Sequence, residues 1–123
     1  MGVFSVPIEI GDPWGERFER LDALVDTGAT FTMAPASLLD ELGVEPEESM
    51  VFELADGTPQ DFGLGETRIR VDGREVSTVV LFGGEDATPL LGAYTLERLM
   101  LTVDPGNQRL VRAGGMYSSI LSG

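Results

Sequence analysis

The chain has 123 residues, 42% hydrophobic and 24% charged, the size and composition of one globular domain. It contains no cysteine and no histidine, which excludes disulfides, thiolate nucleophiles, Ser-His-Asp and Cys-His catalysis, and histidine-ligated zinc. The formal net charge of −13, with all eight basic residues arginine, repels phosphate backbones and anionic lipid, so neither nucleic acid nor membrane is an expected partner.

The start, Met1-Gly2-Val3-Phe4-Ser5-Val6, lacks a basic leader region followed by a long apolar run. The longest apolar stretch, Val79-Val80-Leu81-Phe82, is too short to span a bilayer, so a cytoplasmic protein is expected. Residues 4–10 read as a strand, with Phe4, Val6 and Ile8 alternating with Ser5, Pro7 and Glu9. A Gly-Asp-Pro-Trp-Gly turn at 11–15 follows, in which Trp14 is expected to pack, and residues 17–22 return as the hairpin partner. Leu24-Val25 is a separate short buried strand running into Asp26-Thr27-Gly28. Residues 35–43 signal a helix: proline in the first turn, Leu38, Leu39 and Leu42 on one face, and Gly43 as the left-handed cap.

Residues 50–54 and 60–71 read as strands joined across Ala55-Asp56-Gly57-Thr58, an Asp-Gly hairpin tip. In the second strand Thr67, Ile69 and Val71 face one way and Glu66, Arg68 and Arg70 the other. Asp72-Gly73 is a second tight turn, returning through residues 76–82 to a loop at 83–86. Pro89-Leu90-Leu91-Gly92 precedes a short helix with Leu96, Leu99 and Met100 on one face; a last hairpin spans 101–104 and 108–112. Two segments echo each other, 24–28 and 89–92, each an apolar strand ending in glycine shortly before a helix. Many short strands, two short helices and frequent glycine turns make this a mainly β domain, closed into a barrel or sandwich.

Asp-Thr-Gly after an apolar strand is the feature with chemical content. An Asx turn needs no more than these residues. An acid directly behind Leu24-Val25, with no basic neighbour in sequence, is nonetheless costly to bury without a purpose. The acidic residues Asp40, Glu41, Glu45, Glu47 and Glu48 lack the spacing of a calcium loop and read as a solvated face, and neither metal nor cofactor is expected.

Leu-Val-Asp-Thr-Gly-Ala-Thr at 24–30, the Asp-Gly hairpin at 55–58 and Leu-Leu-Gly at 90–92 together resemble the retropepsin-like aspartic peptidases. These are single-domain relatives of retroviral proteases, found also in bacteria and archaea, and the resemblance runs from the first strand to Arg112. It implies the acid protease fold over a single domain, residues 1–123, and a catalytic Asp26 beside Thr27 and Gly28. Thr27 would bond across a dimer to the opposite loop, and Gly28 would let backbone approach the carboxylates. Ala29, Thr30 and Leu90 would contact substrate together with Ala55, Asp56, Gly57 and Thr58, the tip of a flap. The cleft would be lined by Leu24, Val80, Phe82 and Leu90. Retroviral enzymes carry an acid where Thr30 stands and an arginine where Ala93 stands, a mutual pair; both partners are absent here, and the flap is poorer in glycine.

One Asp-Thr-Gly per chain cannot supply two carboxylates, so the resemblance implies a homodimer acting on peptide or protein substrates, with residues 115–121 as a candidate for intersubunit strand pairing. The rival expectations are a non-catalytic dimeric binding module on the same fold, and a processing domain whose partner protein is its only substrate.

Overall fold

The hairpin of β1 (Ser5–Gly11) and β2 (Phe18–Asp26) pairs from Ser5↔Leu24 to Gly11↔Phe18. The structure, a computed structural model, describes residues 4–113; the tail at 115–121 lies outside them. Asp12 organises the turn between the two strands: its carboxylate accepts the backbone N–H groups of Trp14, Glu16 and Arg17 at 3.1, 2.9 and 3.1 Å. Those bonds, that from Glu16 first, hold its carboxyl below the ordinary value. Trp14 does not pack into the turn as expected; it is 75% exposed.

The two strands expected at 17–22 and 24–25 are one. Asp22 is an outward position between the half-buried Leu21 and the buried Ala23, so the alternation continues unbroken into Val25. A strand that was not expected, β3 (Thr32–Pro35), follows the loop after Asp26. It leads into α1 (Ala36–Glu41), which buries Leu39 and ends through Leu42 into a left-handed Gly43, as the leucine spacing predicts.

β4 (Glu48–Glu53) and β5 (Pro59–Val71) form the hairpin expected around 55–58. β5 turns into β6 (Arg74–Gly83) through Asp72 and Gly73, whose φ values of 52° and 80° are the left-handed pair that a two-residue turn of this hand requires. Thr67, Ile69 and Val71 are buried. On the opposite face Arg68 and Arg70 each reach Glu75 at 2.9 Å, and the Arg70 guanidinium lies 3.6 Å from the Phe18 ring centre. The chain closes with β7 (Leu90–Gly92), α2 (Ala93–Leu99) and the hairpin of β8 (Leu101–Asp104) and β9 (Arg109–Arg112). Leu96 and Leu99 are buried on α2, but Met100 leaves that face: it takes the left-handed cap at φ 57° and is exposed.

The main sheet runs β1-β2-β7-β3-β6-β5-β4, and an added β1–β5 pairing closes its first six strands into a barrel. This is the mainly β, closed architecture expected. Strand β4 lies outside the closure as an edge. The barrel interior is filled by Ile8, Ile10, Ile69, Val80 and Leu91, each contributing about 1.5–3 kcal/mol by burial. Among the described residues no helix is long and apolar enough to cross a membrane.

Candidate active site

Asp26 is the last residue of β2, and β7 lies parallel beside it in the register Leu24↔Leu90, Val25↔Leu91, Asp26↔Gly92. The two segments that echo each other in sequence are therefore paired strands, joined also by the Leu24 N–H donating to the Pro89 carbonyl at 2.9 Å. Past Asp26 the chain folds back tightly. The Gly28 N–H donates to Asp26 Oδ1 at 2.9 Å, and the Ala29 N–H to the Asp26 carbonyl at 3.1 Å. The Asx turn is thus present, and it aims the carboxylate: one oxygen is held over the Gly28 backbone while the group stays half-buried at the strand end. A Cβ on Gly28 would stand 3.3 Å from that oxygen. Thr27, Gly28 and Thr30 are exposed, and Ala29 is half-buried.

The loop is clamped from behind by β7 and α2. The Ala93 N–H donates to the Ala29 carbonyl at 2.8 Å and the Tyr94 N–H to the Thr30 carbonyl at 2.9 Å. One bond starts on Ala93 and the other ends on Thr30, the two positions at which the resemblance leads one to look for an arginine and an acid, but neither bond joins those two residues to each other. The joint survives without the charges. Gly92 permits it, because a Cβ there would lie 2.5 Å from the Phe31 carbonyl carbon and 2.6 Å from its oxygen.

Sequence reasoning missed three residues behind the loop. Thr32 Oγ1 and Thr95 Oγ1 are 2.6 Å apart, Thr95 Oγ1 and Thr78 Oγ1 are 2.9 Å apart, and the Gly92 N–H donates to Thr32 Oγ1 at 3.1 Å. All three threonines are buried. The only sequence signal is a threonine at positions where the strand and helix alternation demands an inward residue.

Of the expected substrate-contacting residues, Leu90 lies directly beside the loop, paired across β7 to Leu24 and across to Met33 of β3. Ala55, Asp56, Gly57 and Thr58 form the exposed hairpin tip. There Asp56 Oδ1 accepts the Thr58 N–H at 2.9 Å, and Gly57 takes φ 86°. The tip belongs to the hairpin that meets the loop through aromatic edges: Phe31 contacts Phe52 of β4 at 6.2 Å and Tyr94 of α2 at 6.1 Å, and Phe52 contacts Phe62 of β5 at 6.1 Å. Beside Phe31 a cavity of about 180 Å³ opens, floored by Met50, Leu64 and Val79 and rimmed by Glu47, Glu48 and Glu66. Leu24, Phe82 and Leu90 are half-buried, but Val80 is not a cleft residue. It is fully buried, because it faces inward on β6 opposite Thr32. Among the described residues no three acidic side chains are grouped to hold a metal ion.

A family model described as gag-polyprotein putative aspartyl protease matches residues 18–98, from the start of β2 into the last turn of α2. The chain belongs to this aspartyl protease family. Its fold is that of retroviral proteases. The simian foamy virus (mac) protease solution structure is similar at a TM-score of 0.56 and 27% identity, over 79% of this chain and 96% of that one. The EIAV protease, solved with the inhibitor HBY-793, is similar in fold at a TM-score of 0.60 and 18% identity, over 89% of this chain and 93% of that one. No curated protein matches the sequence. The family match takes in Asp26, the 55–58 hairpin tip and Leu90, the three motifs on which the resemblance rests.

Proposed function

We propose that the protein is a homodimeric aspartic endopeptidase whose catalytic pair is Asp26 from each of two copies. The observation that carries the reading is the aim of this carboxylate: half-buried at the end of β2, turned over Gly28, and backed by a clamped loop. Among the described residues one chain offers one such carboxylate, so a two-carboxylate site needs a second copy. In that arrangement the exposed Thr27 bonds across to the opposite loop.

Two like charges at hydrogen-bonding distance repel, so the pair holds one proton between them. The ionised member takes a proton from a water that attacks the peptide carbonyl. The protonated member donates to the carbonyl oxygen; the first member then passes the water's proton to the departing amine nitrogen as the carbon–nitrogen bond breaks, while the second recovers a proton from the tetrahedral intermediate's hydroxyl. The hairpin tip at 55–58 acts as the flap that excludes water, and the substrate is an extended peptide, its apolar side chains against Leu24, Phe82 and Leu90.

The test is cleavage of a mixed peptide library across pH 3 to 7 by wild type and Asp26→Asn. Cleavage by wild type alone, blocked by a statine-type mimic of the attacking water, supports the peptidase. Equal, negligible cleavage by two intact dimers leaves the binding-module reading.

A further inference from the structure

We infer that Thr95 is a positioning residue for the active-site strand pair, acting through Thr32 on Gly92 and so on Asp26; the catalytic part of this inference rests on the proposed peptidase activity. The connections are contiguous. Asp26 pairs with Gly92 across the parallel β2–β7 ladder, and the Gly92 N–H ends on Thr32 Oγ1 at 3.1 Å. Thr32 Oγ1 is 2.6 Å from Thr95 Oγ1, and Thr95 reaches Thr78 of β6 at 2.9 Å. Four elements, β7, β3, α2 and β6, therefore meet at one buried hydroxyl cluster under the carboxylate.

Thr95 is its centre. It alone contacts both other hydroxyls, it is fully buried, and it directly follows the α2 residues Ala93 and Tyr94 whose amides clamp Ala29 and Thr30. Among the described residues every buried side-chain polar atom has a partner, so the cluster is satisfied and rigid as it stands. Its directionality matters, since a hydroxyl gives one proton and accepts two bonds. With Thr32 accepting from Gly92, its own proton or that of Thr95 fills the 2.6 Å gap between them. Either way Thr32 Oγ1 is held where the Gly92 amide needs it. A valine at 95 keeps the volume but leaves Thr32 and Thr78 each short of a partner, and Thr32 is then free to turn away from Gly92.

The experiment compares Thr95→Val, Thr95→Ser and wild type in full-length protein, by amide hydrogen exchange and by steady-state cleavage of a library-selected peptide. The expected result for Thr95→Val is a Gly92 amide that exchanges at least about 10-fold faster, with kcat down about 10- to 100-fold and KM little changed, since small displacements of catalytic groups have effects of that size. Thr95→Ser, which restores the hydroxyl, returns both readouts to near wild type. A folded Thr95→Val protein with wild-type Gly92 exchange and kcat overturns the inference, as does Thr95→Ser failing to rescue. If Thr95→Val does not fold, Thr32→Val, which removes the acceptor itself, is expected to accelerate Gly92 exchange while the amides of Ala93 and Tyr94 stay protected; unchanged Gly92 exchange there overturns it equally. If wild type cleaves nothing, the peptidase reading falls while the exchange comparison still decides the positioning claim.

Discussion

Gly92→Ala tests the joint between the strand that ends in Asp26 and its backing. The added Cβ would lie 2.5 Å from the Phe31 carbonyl carbon, 2.6 Å from its oxygen and 3.0 Å from the Ala29 oxygen, against an ordinary lower limit of 3.4 Å. All three atoms are backbone, so no side chain can swing aside, and β7 must move from the loop by nearly an ångström. Backbone strain is not involved, because Gly92 sits at φ −92° and ψ 171°, open to any residue. That displacement breaks or stretches three bonds: Gly92 N–H to Thr32, Ala93 N–H to Ala29 and Tyr94 N–H to Thr30. At about 1 kcal/mol each the loss is roughly 2–4 kcal/mol, a large part of a stability of roughly 5–15 kcal/mol. The melting temperature should fall by roughly 10 °C at fixed protein concentration, and cleavage by about 100-fold as the carboxylate shifts. Gly84→Ala is the control, an exposed glycine with nothing within 4 Å of its Cβ, expected to change stability by less than about 0.5 kcal/mol. A Gly92→Ala protein that melts with wild type refutes the clamp.

Glu85 accepts the Ser37 hydroxyl at 2.6 Å and the Ser37 N–H at 3.2 Å, and these bonds hold its carboxyl below the ordinary value, the hydroxyl bond first. A depressed carboxyl stabilises the fold above its unfolded pKa, and that stabilisation is lost as pH falls through the folded value. The loop at 84–88 should therefore loosen from α1 on acidification below the ordinary glutamate range, by amide exchange, and Glu85→Gln should flatten that dependence; identical profiles count against it. Phe31→Ala should free the β4–β5 hairpin from the loop, and a double-mutant cycle with Phe52→Ala should give a coupling of about 0.5–1.5 kcal/mol by urea denaturation; zero coupling removes the aromatic link. A dimer doubles the net charge of −13, so its dissociation constant should fall with added salt in sedimentation, and a rise contradicts the proposed association.

The parts of the fold legible in the sequence are those in which local chemistry and tertiary position agree. Asp72-Gly73 demanded a left-handed pair and took one; Leu39 and Leu42 marked the buried face of α1; alternation through Thr67, Ile69 and Val71 marked the wall of the barrel. Strand β3 was hidden because its inward residues are Thr32 and Ala34 while the more apolar Met33 is only half-buried, which inverts the hydrophobic pattern. The inversion has a cause: Thr32 is inside to receive the Gly92 amide and to share a hydrogen bond with the Thr95 hydroxyl. Val80 misled in the opposite sense, since an apolar residue near a cleft motif reads as lining until the register turns it toward Thr32. Asp26 itself was visible from its strand-and-turn setting, whereas the main-chain joint from Ala93 and Tyr94 has no side-chain signature.

The central claim is that two copies of Asp26 make one site. Wild type mixed with an equal amount of Asp26→Asn, allowed to exchange subunits, should retain about one quarter of its dimers with both carboxylates, so activity should follow the square of the wild-type fraction. Activity falling in simple proportion to the wild-type fraction would mean that each chain works alone, and would contradict the account.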